Sequence, residues 1–219
     1  MKRKRLHWIV AAVLAVLASP LFAPQLLAFP YKAEVAGSTI RSVEPIDAAE
    51  LDPVMDRALA KVAASPLAEP GEHRDIFLTD GGWRWTWLAN STRGAFALTR
   101  PLTEDVIVNR SAPARDIAFN GAPVGGDRSL SGLLAHEFTH GLIRRHFGQV
   151  ASLQFPRWLV EGYCDYIAGE SSLDPAEVAA LDAADSRHPA LLYYHGRQRA
   201  EATLKKNGGS VERLFAEGS

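Results

Sequence analysis

The sequence predicts an α+β fold: a small sheet packed on one long helix, followed by a mainly helical C-terminal half. Three observations carry this. Short apolar runs between turn residues crowd positions 75–120. A long helical pattern opens at Ser129. Helical periodicity then continues almost to the end of the chain. Of 219 residues, 47% are hydrophobic, which supports one core and a single domain over residues 31–219. That content excludes a disordered chain, and one cysteine excludes a disulfide scaffold. A net charge of -1 gives no reason to expect a nucleic-acid partner.

The charge is unevenly spread. Lys2, Arg3, Lys4 and Arg5 precede a stretch without formal charge that runs from Leu6 to Tyr31. Residues 32–219 therefore hold 20 basic and 25 acidic residues, a net of -5, so the basic cluster is a flank. A basic flank before Trp8–Ala18 is how a secretory signal or an N-terminal anchor begins. Trp8 to Phe29 spans 22 apolar or neutral residues, near the ~20 that cross a bilayer as a helix. Pro20 and Pro24 make the second half a poor straight helix. Small-residue cleavage sites are weak, which favours an uncleaved anchor over a cleaved signal for residues 1–30. The expected partner of residues 8–29 is thus a membrane, with the rest of the chain outside the cytoplasm. Cleavage would make the protein secreted.

Residues 31–55 read as extended and then helical, with Asp47 or Asp52-Pro53 opening a helix to Lys61–Ala64. Residues 63–74 read as a loop. Ile76–Thr79, Trp83–Trp87, Ala95–Thr99, Val106–Asn109 and Ile117–Asn120 read as the strands of a sheet over residues 75–120. Trp83-Arg84-Trp85-Thr86-Trp87 alternates, which places three indoles on one strand face. A core face or a cover over the next helix explains that better than a ligand platform. Gly121–Asp127 is a turn region. Helices follow over 129–168 and 174–216.

Ser129–Phe147 reads as a helix with Gly148 at its C-cap. It contains His136-Glu137-Phe138-Thr139-His140, a match to H-E-x-x-H. His136 and His140 are one turn apart, so both imidazoles leave the same face and can bind one Zn²⁺. Glu137 lies about 100° round the helix, unable to ligate easily but able to reach a water on the ion. Leu130, Leu134, Phe138 and Leu142 form an apolar stripe roughly opposite the histidines.

A second helix begins near Pro156 and carries Trp158-Leu159-Val160-Glu161-Gly162. Glu161 can return to the histidines as a third ligand, leaving the fourth position for water. Asp165, one turn on, can accept a hydrogen bond from the far nitrogen of a ligating histidine. Cys164 can approach the metal, but the Val160–Cys164–Ile167 stripe reads as core. Asp165 as the third ligand is the weaker alternative to Glu161.

His136–His140 followed by Trp158-Leu159-x-Glu161-Gly162 resembles the gluzincin metallopeptidases, including the small single-domain minigluzincins. The likeness covers about residues 130–170. It implies a mixed sheet above the active-site helix, with an edge strand that pairs with extended substrate. It implies one zinc ion on His136, His140 and Glu161, Glu137 as general base, and Asp165 behind a ligand. It also implies an oxyanion donor, a Tyr or His on a later helix. That helix begins near Pro189 and holds Tyr193-Tyr194-His195. Tyr194 or His195 is the expected donor. No other cofactor is implied.

The reading is therefore a membrane-anchored or exported zinc peptidase acting on peptides or proteins. The Gly-x-Met-x-Asn signature of zinc aminopeptidases is absent before His136, so an endopeptidase is preferred. The alternative is a non-catalytic envelope binding or accessory protein with structural zinc or none.

Overall fold

The computed structural model describes residues 2–218. A helix α1 (Lys2–Ala18) opens the chain, followed by a hairpin β1 (Tyr31–Val35) and β2 (Ser38–Ser42). Then come α2 (Ala48–Ala63), β3 (Asp75–Leu78), α3 (Trp83–Ala89), β4 (Ala97–Thr99) and β5 (Val106–Val108). Three short strands follow: β6 (Arg110–Ala112), β7 (Ile117–Phe119) and β8 (Asp127–Ser129). The rest is helical: α4 (Leu130–Phe147), α5 (Gln149–Ser152), α6 (Arg157–Ala168), α7 (Pro175–Ala183), α8 (Pro189–Asn207) and α9 (Val211–Gly218). The α+β class and the helical C-terminal half match the sequence reading.

The main sheet is mixed, with strand order β1-β2-β3-β5-β4. The β2–β3 and β3–β5 pairs are parallel; β1–β2 and β4–β5 are antiparallel. It begins at Tyr31 rather than at position 75. The β1–β2 hairpin turns through Ala36 (φ 49°) and Gly37 (φ 78°), both left-handed as a tight two-residue turn requires. β6, β7 and β8 make a separate three-stranded sheet before α4, so residues 75–120 do not form one sheet.

α2 starts where Asp47 accepts from the Ala49 N–H at 2.9 Å. Pro53 lies inside it. Leu51, Val54, Met55, Ala58 and Val62 form its buried stripe and join α4 in the main core. From the sheet, Ile40, Ile76, Leu78, Val106 and Val108 face the same core. Phe77 and Ile107 face the other way, where Trp85, Leu88 and Ala89 of α3 cover them.

The tryptophan run is therefore a helix, not a strand. Over five residues the alternation fits either period, and the helical reading wins because the outer sheet face needs a lid. Asp80 accepts from the Gly82 N–H at 2.9 Å and sets up the start. In the helix Trp85 turns inward and is 3% exposed, while Trp83 and Trp87 turn outward at 59% and 42%. The three indoles do not share a face.

The N-terminal apolar stretch is also not one continuous helix. α1 ends at Ala18, and 3₁₀ turns follow at Ser19–Leu21 and Pro24–Leu27, each with proline in its first positions. No helix among the described residues is long and apolar enough to cross a membrane.

α4 runs through the centre. Ser129 caps it, accepting from the Gly132 N–H at 2.9 Å, and Gly148 (φ 89°) ends it. Residues 130–139 are buried all round. The apolar stripe expected on one side is thus part of a helix covered on every side, with β4 over one flank and α6 along another. α6 starts at Arg157, with Pro156 at the N-cap.

Candidate metal and catalytic site

α4 presents His136 and His140 one turn apart, with ring centroids 5.0 Å apart. α6 brings Glu161 to the same point. Its Oε2 lies 3.2 Å from Nε2 of His136 and 3.5 Å from Nε2 of His140. A tetrahedral ion with bonds of about 2.0–2.2 Å has ligand–ligand edges of about 3.4 Å. The two distances bracket that edge, so the Glu161 carboxylate stands at ligand separation from each imidazole.

A second donor set overlaps the first. His136, His140 and Cys164 bring ligand atoms within 4.8 Å of one another and can hold a metal ion. On His140 the two side chains face different ring nitrogens. Cys164 Sγ lies 3.6 Å from Nδ1 of His140, on the side away from Glu161. Burial, with the carboxylates of Glu161, Glu137 and Asp165, pushes the Cys164 thiol well above its ordinary pKa. Glu161 faces Nε2 of both rings, while Cys164 lies beside Nδ1 of His140.

Asp165 is fully buried behind His136. Its Oδ1 lies 2.7 Å from His136 Nδ1, which turns Nε2 towards Glu161. Arg128 holds the same carboxylate at 3.2 Å and binds Glu170 at 3.2 Å. Burial works to raise the Asp165 carboxyl; the Arg128 charge and the His136 hydrogen bond outweigh it and hold the pKa below its ordinary value. Asp165 is on the wrong ring nitrogen to be the third ligand.

Burial likewise works to lower His136. Hydrogen bonds that its ring donates to Asp165 and Glu161 outweigh burial and lift it to about 9. Glu161 is held well below the usual carboxylate range, because His136 and His140 outweigh its burial. A proton on His136 thus occupies the charge position that a cation can take.

Glu137 points to another flank. Its Oε2 accepts from Thr99 Oγ1 at 2.6 Å, and Thr99 is the last residue of the edge strand β4. The same hydroxyl lies 3.0 Å from the Glu137 carbonyl. The sequence reading has Thr99 only as the end of a strand, with no role at the site: it lies 38 positions upstream of Glu137, with no motif around it.

The third helix corrects an expectation. Tyr194 packs against the Leu173–Val178–Leu191 cluster. His195 lies 3.4 Å from Asp182 on the surface. Tyr193 is the residue at the site, with its ring 6.1 Å from that of His136. Arg157 Nη2 donates to the Tyr193 hydroxyl at 2.9 Å, and the guanidinium lies over the phenol ring. Burial, aided by the Glu161 charge, pushes the Tyr193 phenol up to about 12, so it keeps its proton at neutral pH.

The rotation of α8 decides which residue faces inward, and one contact sets it. A Cβ added to Gly162 or Gly196 would strike the other helix, so α6 and α8 meet backbone to backbone there. Tyr193 lies almost one turn before that point, and Glu161 is adjacent to it.

No family model, curated protein or solved structure matches the chain.

Proposed function

We propose that the chain is a zinc-dependent peptidase of the gluzincin kind, held at or exported across a membrane by residues 8–29. The observation that carries this reading is the approach of Oε2 of Glu161 to Nε2 of His136 and Nε2 of His140, with Glu137 next in sequence to His136 and its carboxylate held by Thr99. When bound, zinc supplies Lewis-acid polarisation of a carbonyl and lowers the pKa of water towards neutrality.

The chain's own residues supply the rest. Glu137 takes a proton from the attacking water and passes it to the leaving amine. Thr99 fixes the carboxylate for that exchange and ties it to β4, the outer strand of the sheet. An extended peptide laid along that edge would bring its scissile carbonyl near Glu137. Tyr193 keeps its proton and donates it in a hydrogen bond to the developing oxyanion. Asp165 and Arg128 hold His136 in register.

The test is elemental analysis of the purified full-length chain beside its His140→Ala variant. About one zinc per chain, lost in the variant, is the expected result. Glu137→Gln should keep the zinc and lose hydrolysis of an unfolded protein substrate such as casein. A folded, zinc-free wild type sinks the reading and leaves a non-catalytic binding protein. A Glu137→Gln variant as active as wild type removes the role given to that carboxylate.

A further inference from the structure

The outward face of α3 has no part in the reading above. Trp85 faces the sheet, and its indole N–H donates to the Arg93 carbonyl at 2.8 Å. Trp83 and Trp87 lie one turn apart on the opposite face. They are exposed, and their indole N–H groups have no protein acceptor among the described residues.

This face sits at the root of α1. Arg84, between the tryptophans, donates from Nε to the Leu27 carbonyl at 2.7 Å and from Nη2 to the Ala28 carbonyl at 3.0 Å. Its guanidinium lies 4.7 Å from the Trp83 ring centroid. Phe29 packs edge-on against Phe77 at 5.1 Å. The segment that leaves α1 is therefore clamped to α3. Phe22 and Leu26 in that segment are also exposed, as are Trp8, Ile9 and Leu14 along α1.

The length of α1 adds a constraint. Its uncharged part, Leu6–Ala18, is roughly 13 residues or about 20 Å long, against a hydrocarbon core of about 30 Å. α1 in this form falls about 10 Å short of crossing. The shortfall closes only when the segment after it, and the surface clamped to that segment, lie down into the membrane boundary. Exposed indoles suit that boundary, with an apolar ring on one side and an N–H for headgroup oxygens or water on the other. A sugar platform would need free polar side chains around the rings. Here Arg84 is used by main-chain carbonyls and Asp80 by the Gly82 N–H.

We propose that Trp83 and Trp87 form a membrane-docking surface that inserts at the headgroup–acyl boundary of a phospholipid bilayer beside α1. One helix alone leaves the domain free to rotate about it; a second contact beside its root fixes that rotation. This inference rests on the membrane reading of residues 8–29.

The experiment uses the full-length chain in vesicles of phosphatidylcholine with a minor share of phosphatidylglycerol. Part of the phosphatidylcholine is brominated near the top of its acyl chains, where it quenches nearby indoles. Trp8→Phe removes the indole of α1 and leaves four of the five tryptophans. This variant should float with the vesicles and lose roughly half its emission to the brominated lipid, since two of four indoles lie at the boundary. Adding Trp83→Ser and Trp87→Ser, both at exposed positions, should abolish most of that quenching. Flotation with equal quenching in the two variants, or with none in Trp8→Phe, overturns the docking surface and leaves the membrane reading standing. Failure of both wild type and Trp8→Phe to float overturns both.

Discussion

The two ligand histidines of the proposed site leave the same face of one helix, yet the protein behind them differs. Behind His136 lies a buried carboxylate that is itself held by Arg128. Behind His140 lies a neutral thiol at 3.6 Å, a weak partner. The first arrangement fixes a tautomer and a ring angle by charge; the second fills space. The difference teaches that a symmetrical motif need not give a symmetrical site. The side chains three and four residues after Glu161 on the neighbouring helix decide how firmly each ring is held.

Asp165→Asn tests the strong side and should have the largest effect. Zinc affinity should fall about 10–100-fold by chelator competition, because the His136 tautomer is no longer enforced. Denaturant unfolding should show a loss of about 2 kcal/mol as Arg128 loses one of its two carboxylate partners in the interior and keeps only Glu170. Unchanged affinity would mean that helix geometry alone orients His136.

Tyr193→Phe should lower kcat on an unfolded protein substrate about 100-fold with little change in KM. Tyr194→Phe and His195→Ala should leave both constants nearly unchanged. Loss of activity in either of the latter would return the donor role to the residues that the sequence suggested.

The charge asymmetry also predicts a pH effect. His136 in the metal-free chain is lifted from an ordinary 6.5 to about 9, so its stabilising contribution is complete below about pH 6.5 and lost as pH rises through about 9. Glu161 is lowered, so its contribution is constant over that window and is lost only in acid. Zinc must displace the His136 proton, so zinc binding should tighten as pH rises from 6 to 9. Melting curves with zinc and with a chelator should therefore separate by several degrees more at pH 9 than at pH 6. A constant separation would mean that His136 carries no proton in the metal-free chain.

The weak side should respond least. Cys164→Ala should leave zinc affinity within about threefold and cost about 1 kcal/mol of stability through lost packing. If that variant loses zinc as His140→Ala does, while Glu161→Ala keeps it, the thiol is the ligand and the assignment of Glu161 fails.

The parts legible in the sequence are those where one helical turn carries the chemistry. His136, Glu137 and His140 need only the local repeat, and Ser129 and Gly148 mark the helix that holds them. Glu161 and Asp165 follow by the same logic one helix later. What escaped depends on contacts far along the chain. Thr99 reaches Glu137 only because β4 lies at the sheet edge beside α4. Tyr193 rather than Tyr194 faces His136 because Gly162 and Gly196 set the rotation of α8, and neither glycine states its partner. The Trp83–Trp87 run satisfies two periodicities, and the bare outer face of the sheet chose between them. The Ala36-Gly37 turn lacks the usual Asn-Gly or Asp-Gly signal, so its hairpin was silent.

The contact between Gly162 and Gly196 has a mechanical consequence. Two helices that touch through main-chain atoms have no flexible layer between them, so a push on one is transmitted to the other with little give. The Glu161 carboxylate and the Tyr193 phenol then travel as one block. Retuning the reach of either group must come from swapping its side chain, since sliding the helix would carry the other group with it.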